Sequence, residues 1–217
     1  MIKAVIFDMD GLLINSEPYW RQVEIEMLQR FGIHATDELA KDTYGLRTDE
    51  VIRYWYDYQP WPDPDHEQLK ADFYTRIREL IDGADILMDG AIEAISLVRD
   101  SGLLSAIASS SPRIMIDSII SRYRLDESFD LIHSSEEEAF GKPHPAVYLS
   151  VAAKLGVAAT NCLAVEDSLN GVIAAKAARM KTIVIPDPLN FNDERFVIAD
   201  GKIHSLKELN LALIQSL

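Results

Sequence analysis

Apolar and polar positions follow two different rhythms along this chain. The opening stretch Ile2-Lys3-Ala4-Val5-Ile6-Phe7 is a short apolar run that stops at Asp8-Met9-Asp10-Gly11. A run of that length bounded by a turn signal predicts a buried strand, and Gly11 lets the chain turn sharply after the second acid. Beyond it the period lengthens. Trp20, Val23, Met27, Leu28 and Phe31 share one helical face, with Pro18 suited to the first turn and Gly32 just past the end. A second helix is predicted over 49–58, stopped by Pro60, and a third around Leu69, Phe73, Ile77, Leu80 and Ile81, with Gly83 as its C-terminal cap. The block 15–84 shows helical patterns and no confident strand, so it reads as a helical unit inserted directly after the first strand.

From about residue 90 the pattern alternates helix and strand. Leu103 to Ala108, Phe129 to His133, Cys162 to Val165 and Thr182 to Ile185 are the strand candidates, and the stretches between them are long enough for right-handed crossovers. A parallel sheet that includes the first strand follows. Polar sequence then gathers on one edge: Asp8-Met9-Asp10, Ser109-Ser110-Ser111, Gly141-Lys142-Pro143 and Glu166-Asp167-Ser168. Open α/β sheets bind their ligands beyond the carboxyl ends of the strands, so residues distant in sequence can meet there.

Composition narrows the partners. The 217 residues are 48% hydrophobic and 26% charged, with a formal net charge of −14. That balance argues against a nucleic-acid partner, which needs clustered Lys and Arg. Any anion site must be built locally from backbone N–H groups and one or two fixed cations. The single cysteine, Cys162, excludes an intrachain disulfide framework and suits a reducing compartment; its apolar neighbours place it in a buried strand. No apolar run approaches the length of a membrane span and no secretory signal is evident, so a cytoplasmic protein with no membrane partner is expected.

Two acids beside an apolar strand are costly to bury without partners, which implies a metal ion, a shared proton, or both. Asp8 and Asp167 can offer oxygen ligands to one Mg2+, Ser109 can donate to a phosphate oxygen, and Lys142 can neutralise transferring charge. Singly, each has a bland reading: a solvated Lys, a helix-capping Ser, acids that start a helix. Together they are the equipment of phosphoryl transfer.

Asp8-Met9-Asp10-Gly11-Leu12, the Ser109 loop, Gly141-Lys142-Pro143 and Glu166-Asp167-Ser168 have the order and spacing of the four motifs of the haloacid dehalogenase-like superfamily, which the chain resembles over essentially its whole length. The segments Asp10-Gly11-Leu12-Leu13, Ser16-Glu17-Pro18, Trp20 and Lys142-Pro143-His144-Pro145 are similar to the bacterial 2-deoxyglucose-6-phosphatase and hexitol phosphatase group. The resemblance implies an α/β fold: a doubly wound, Rossmann-like parallel-sheet core, residues 1–14 and 85–217, and an inserted α-helical cap domain, residues 15–84. It implies a Mg2+-dependent phosphatase acting on hexose or hexitol phosphates. Asp8 is the expected nucleophile, forming an aspartyl-phosphate, and Asp10 the acid that protonates the leaving alcohol, helped to stay protonated by crowding from Asp8 and Asp167. The metal ligands implied are the carboxylates of Asp8 and Asp167 with the backbone carbonyl of Asp10. Ser109, Ser110, Lys142 and Glu17 are the expected substrate contacts, and Glu166 lies behind them, orienting water or Lys142.

Two positions depart from the group's pattern. Asn15 stands where Asp is usual, beside the cap hinge, and Trp20 stands where the superfamily's sugar-phosphate mutases carry a His. The second departure favours hydrolysis over the alternative, a mutase; a catalytically silent binding protein is the rival from another class. Within the cap, Thr43-Tyr44-Gly45-Leu46-Arg47-Thr48 reads as a specificity loop in which Arg47 binds a substrate hydroxyl or phosphate, or is a plain surface charge. Tyr54-Trp55-Tyr56, Tyr58 and Trp61 read as cap core, with stacking on a sugar face as the alternative. His144 is expected to shape the Lys142 loop. A monomer is expected, a dimer left open.

Overall fold

The computed structural model describes residues 1–40, 42–62 and 64–217. Its centre is a parallel sheet of β1 (Ala4–Phe7), β2 (Leu104–Ser109), β3 (Leu131–Ser134), β4 (Cys162–Glu166), β5 (Lys181–Val184) and β6 (Gly201–Lys202), in the order β3-β2-β1-β4-β5-β6. The chain winds outward from β1 in one direction and from β4 in the other, the doubly wound arrangement whose crevice opens where the order reverses. β1 lies at that reversal, with Phe7 opposite Ile107 on one side and Val165 on the other. Asp8 therefore leaves the sheet between the ends of β2 and β4.

Alternation along the strands builds a core on each face. Val5, Phe7, Ile107, Leu163, Val165 and Ile183 pack into one apolar cluster, against residues of α5 (Ala91–Asp100) and α6 (Arg113–Arg122). Ala4, Ile6, Ala106, Ala108, Cys162 and Ala164 face α7 (Ala146–Lys154) and α8 (Leu169–Ala177). The run of small residues on this face lets those helices sit close, and Cys162 is fully buried among them. The short α9 (Leu211–Ser216) closes the chain on the first face through Ile214.

Between β1 and α5 come the inserted helices. In chain order they are α1 (Glu17–Gln29), α2 (Asp37–Ala40), α3 (Thr48–Tyr58) and α4 (His66–Ile81), with Pro18 in the first turn of α1. The outgoing and returning chains cross side by side: Met88 N–H donates to the Leu13 carbonyl at 2.9 Å and Asn15 N–H to the Ile86 carbonyl at 2.6 Å. Most of the aromatic run is cap core as expected, but Tyr58 is exposed, with only its ring edge against Trp55. Trp55 is fully buried, Tyr56 and Phe31 pack on Trp61 at 4.9 and 4.5 Å, and none of these rings lines the cavity described below.

Three features differ from the sequence reading. β6 has two residues, too few to carry an alternating signal, and Asp37–Ala40 is a single turn. Strand edges shift by one or two residues, as at Leu131–Ser134, where the run begins in a turn held by Asp130. No helix among the described residues is long and apolar enough to cross a membrane.

Candidate active site

Lys142 is the hub of the sheet edge. Its side chain is 2% exposed, and its Nζ donates to Asp8 Oδ1 at 2.5 Å, Glu166 Oε1 at 2.7 Å and the Ala108 carbonyl at 3.0 Å. A buried ammonium is tolerable only with such partners, and here all three of its donors are spent. Glu166 is saturated in turn. Tyr148 donates to Oε1 at 2.5 Å, while the backbone N–H groups of Asp167 and Ser168 and the Ser168 hydroxyl reach Oε2. A Cβ at Gly171 would overlap this carboxylate, so the start of α8 must carry glycine there. Glu166 therefore holds Lys142 and has no oxygen left over for a ligand.

Asp10 points away from this hub. Its Oδ1 accepts from the Ser16 hydroxyl at 2.7 Å and the Trp20 indole N–H at 3.0 Å; its Oδ2 accepts from the hydroxyls of Ser111 at 2.8 Å and Ser109 at 3.2 Å. Four donors from two parts of the chain fix the carboxyl group over the pocket. Asp8 and Asp167 are crowded among buried acids. Burial raises both carboxyls above the usual range; Lys142 pulls Asp8 back down, and Asp8 and Glu166 push Asp167 further up.

Asp8, Glu166 and Asp167 bring carboxylate oxygens within 4.8 Å of one another. Within this cluster Asp167 Oδ1 is buried without a hydrogen-bond partner, a state that costs several kcal/mol unless something charged meets it. With Glu166 already satisfied, Asp8 and Asp167 are the pair whose donor chemistry fits a hard divalent cation. The side chain of Asp10 takes no part in the cluster.

A cavity of about 470 Å³ lies between this edge and the inserted helices. Asp8, Asp10, Ser110, Ser111 and Lys142 form its floor; Trp20, Phe73 and Val51 are apolar wall, with Trp20 stacked on Phe73 at 5.9 Å. Glu17 lines it half-buried, and burial together with Asp10 and Asp8 pushes its carboxyl well up. Asn15 lies at its mouth, exposed, where the chain leaves the core. Ser110 lines the cavity and donates to the Gly45 carbonyl at 2.9 Å. Arg47 differs from expectation. Its guanidinium is clamped on Asp49 at 2.6 and 2.9 Å and donates to the carbonyls of Ser135 and Glu138, so it spans the seam between the insertion and the core and does not line the cavity. His144 is exposed and bonds within its own turn, to the Gly141 carbonyl.

Residues 2–179 match the sequence profile of the family described as haloacid dehalogenase-like hydrolase. The chain is a haloacid dehalogenase-like hydrolase. It is 46% identical over 210 residues to hexitol phosphatase B of Escherichia coli (strain K12), covering 96% of this chain and 94% of that protein. It is 28% identical over 189 residues to the phosphorylated carbohydrates phosphatase of Thermotoga maritima, covering 84% of each. Among solved structures, CbbY from Rhodobacter sphaeroides in complex with phosphate superposes with a TM-score of 0.86 at 27% identity, over 99% of this chain and 100% of that one. A β-phosphoglucomutase from Clostridium difficile, TM-score 0.89 at 21% identity over 100% of this chain and 96% of that one, shares the fold.

Reading the sequence alone misses several contacts of this hydrolase's site. Ser111 and Trp20 are donors to Asp10, Tyr148 braces Glu166, and the Tyr44 hydroxyl donates to Asp167 Oδ2 at 2.8 Å. Ser111 carried a signal, the third serine of the loop after a strand. Tyr44 was legible only as part of the loop 43–48, and neither its bond to Asp167 nor that of Tyr148 to Glu166 was, because a helix or loop tyrosine reads as packing until the tertiary fold brings it to an acid.

Proposed function

We propose that this hydrolase, a phosphatase, hydrolyses hexose or hexitol monophosphates in the cytosol with Mg2+ and an aspartyl-phosphate intermediate. The observation that carries the reading is Asp8: a buried carboxylate, held on one oxygen by Lys142 and facing Asp167, at the floor of a cavity large enough for a six-carbon monophosphate. The Asp8 oxygen not engaged by Lys142 attacks phosphorus; the P–O bond to the sugar breaks, and the alkoxide takes a proton from Asp10. Water, its proton drawn back to Asp10, then cleaves the aspartyl-phosphate and releases phosphate. Lys142 offsets charge on the transferring group. Asp8 and Asp167, with the Asp10 carbonyl, would hold Mg2+, which when bound neutralises charge on the phosphate oxygens.

The wall formed by Trp20, Phe73 and Val51 suits the carbon face of a polyol, while Glu17 and Ser110 offer hydrogen-bonding groups for its hydroxyls. Trp20 also supports hydrolysis over phosphoryl exchange between sugars. An indole N–H can only donate, and it is spent on Asp10, whereas an imidazole at that place could relay a proton. Phosphate release from a panel of hexose and hexitol phosphates, with Mg2+ and with EDTA, tests the proposal. Mg2+-dependent turnover of six-carbon monophosphates is expected, and a metal-independent or absent activity contradicts it.

A further inference from the structure

The loop of the insertion that runs from Tyr44 into its third helix is stitched to the core at the Ser109 loop, at the Lys142 loop and around Asp167. Ser110 donates to the Gly45 carbonyl at 2.9 Å, Asn170 to the Tyr44 carbonyl at 2.8 Å, and Tyr44 to Asp167 at 2.8 Å. The grip is most complete on the loop that leads to Lys142. At its start, Arg47 Nη1 donates to the carbonyls of Ser135 and Glu138 at 2.8 and 2.9 Å, with Asp49 holding the guanidinium in plane. At its end, the Gly141 N–H donates to Glu50 Oε1 at 2.9 Å, one residue before Lys142.

Gly141 supplies an independent sign of the same contact. It is not among the glycines with positive φ, so its backbone does not require glycine. A Cβ there would run into the Glu50 carboxylate and stand 3.1 Å from the Arg47 Cβ. What crowds a side chain at this position is the insertion itself: the Glu50 carboxylate would have to swing away from the Gly141 N–H and the Arg47 Cβ to give slightly.

We infer that Glu50 and Arg47 are positioning residues that grip residues 135–141 when the insertion closes and so seat Lys142 against Asp8. Closure over the substrate and completion of the phosphoryl site are then one event. The inference rests on the proposed part of Lys142 in the reaction, and it gives Arg47 work on the common phosphoryl step, not on the leaving group.

Four variants test it: Glu50→Ala, Glu50→Gln, Arg47→Ala and Gly141→Ala, each read by amide hydrogen exchange and by kinetics on a hexitol phosphate and on p-nitrophenyl phosphate. Losing one charge-assisted bond in Glu50→Ala and two in Arg47→Ala predicts a fall in kcat of about tenfold or more, in equal proportion on both substrates. Glu50→Gln keeps an acceptor oxygen and recovers most of the rate. Gly141→Ala, whose backbone accommodates alanine, retains the wild-type melting temperature and shows the same loss, because only the closed state is obstructed. In Glu50→Ala the Gly141 amide exchanges at least about tenfold faster while amides of β1 and β4 are unchanged. Unchanged exchange at Gly141 in Glu50→Ala overturns the inference, as does an Arg47→Ala variant that raises KM for the sugar phosphate and leaves p-nitrophenyl phosphate untouched. If the wild type hydrolyses no phosphate ester while Glu50→Ala still exposes the Gly141 amide, the phosphatase reading fails and the grip stands.

Discussion

Trp20→Phe isolates one of the four donors on Asp10. Phenylalanine keeps an aromatic ring stacked near Phe73 and removes the indole N–H that lies 3.0 Å from Asp10 Oδ1. A bond from a neutral donor to a carboxylate is worth roughly 1.5 to 3 kcal/mol when nothing replaces it. Here Ser16 stays on the same oxygen at 2.7 Å, and Ser109 and Ser111 stay on the other, so the carboxyl group is loosened and not released. Trp20 is half-buried in the wall of an open cavity, and water can fill the space left by the lost ring. The net loss of positioning should therefore be about 1 kcal/mol, a five- to tenfold fall in kcat/KM. The fall should depend on the leaving group. A sugar alkoxide needs its proton as the P–O bond breaks, whereas p-nitrophenolate leaves without one, so steady-state assays on both should show the larger loss on the sugar phosphate. Equal losses, or a rise in KM alone, would refute the claim that Trp20 acts through Asp10.

Asp10→Asn should leave phosphorylation by p-nitrophenyl phosphate measurable and slow the breakdown of the phosphoenzyme, giving a burst of p-nitrophenolate followed by a slow phase; a uniform loss on good and poor leaving groups contradicts its role as acid and base. Mg2+ should stabilise the fold, with a melting temperature raised by roughly 5 to 10 °C at a hundredfold excess over its Kd. That gain should widen with pH. Asp8 and Asp167 are raised by burial in the folded protein and ordinary in the unfolded chain. Between those values the metal-free fold holds protons that the unfolded chain has released, so it loses stability as pH rises. Mg2+ takes the place of those protons, and calorimetry in EDTA and in Mg2+ at acidic and mildly alkaline pH checks the trend; a gain that shrinks as pH rises would overturn it. Tyr148→Phe should lower kcat several-fold on both substrates by loosening the Glu166 carboxylate that holds Lys142, and an unchanged kcat would show that Glu166 needs no such brace.

What the sequence could reveal follows the range of each interaction. Strand and helix faces are written as short-range periodicity, so β1, β2, β4 and the three long inserted helices are legible, and the polar strand ends mark the edge where the site forms. Arg47 shows the limit. A cation in a glycine-bearing loop of a cap suggests a substrate anion, yet the anion it meets is Asp49, two residues on, and its other partners are main-chain carbonyls 88 and 91 residues away, which no side-chain pattern announces. Glu50 was hidden in the same manner, since a glutamate in the first turn of a helix is an ordinary capping residue until Gly141 is brought to it. Trp20 was legible as a departure from the mutases, but its bond to Asp10 depends on how the first inserted helix leans over the sheet.

The central claim is that Asp8 carries the phosphoryl group. It is tested most directly in the Asp10→Asn variant, where the intermediate should accumulate: brief incubation with p-nitrophenyl phosphate and Mg2+, acid quench, and peptide mass spectrometry. The account predicts one phosphoryl group on the peptide containing Asp8, localised to Asp8 and absent when Asp8 is also replaced by Asn. Turnover with Asp8 unmodified at every quench time, or a phosphoryl group on another residue, would contradict it.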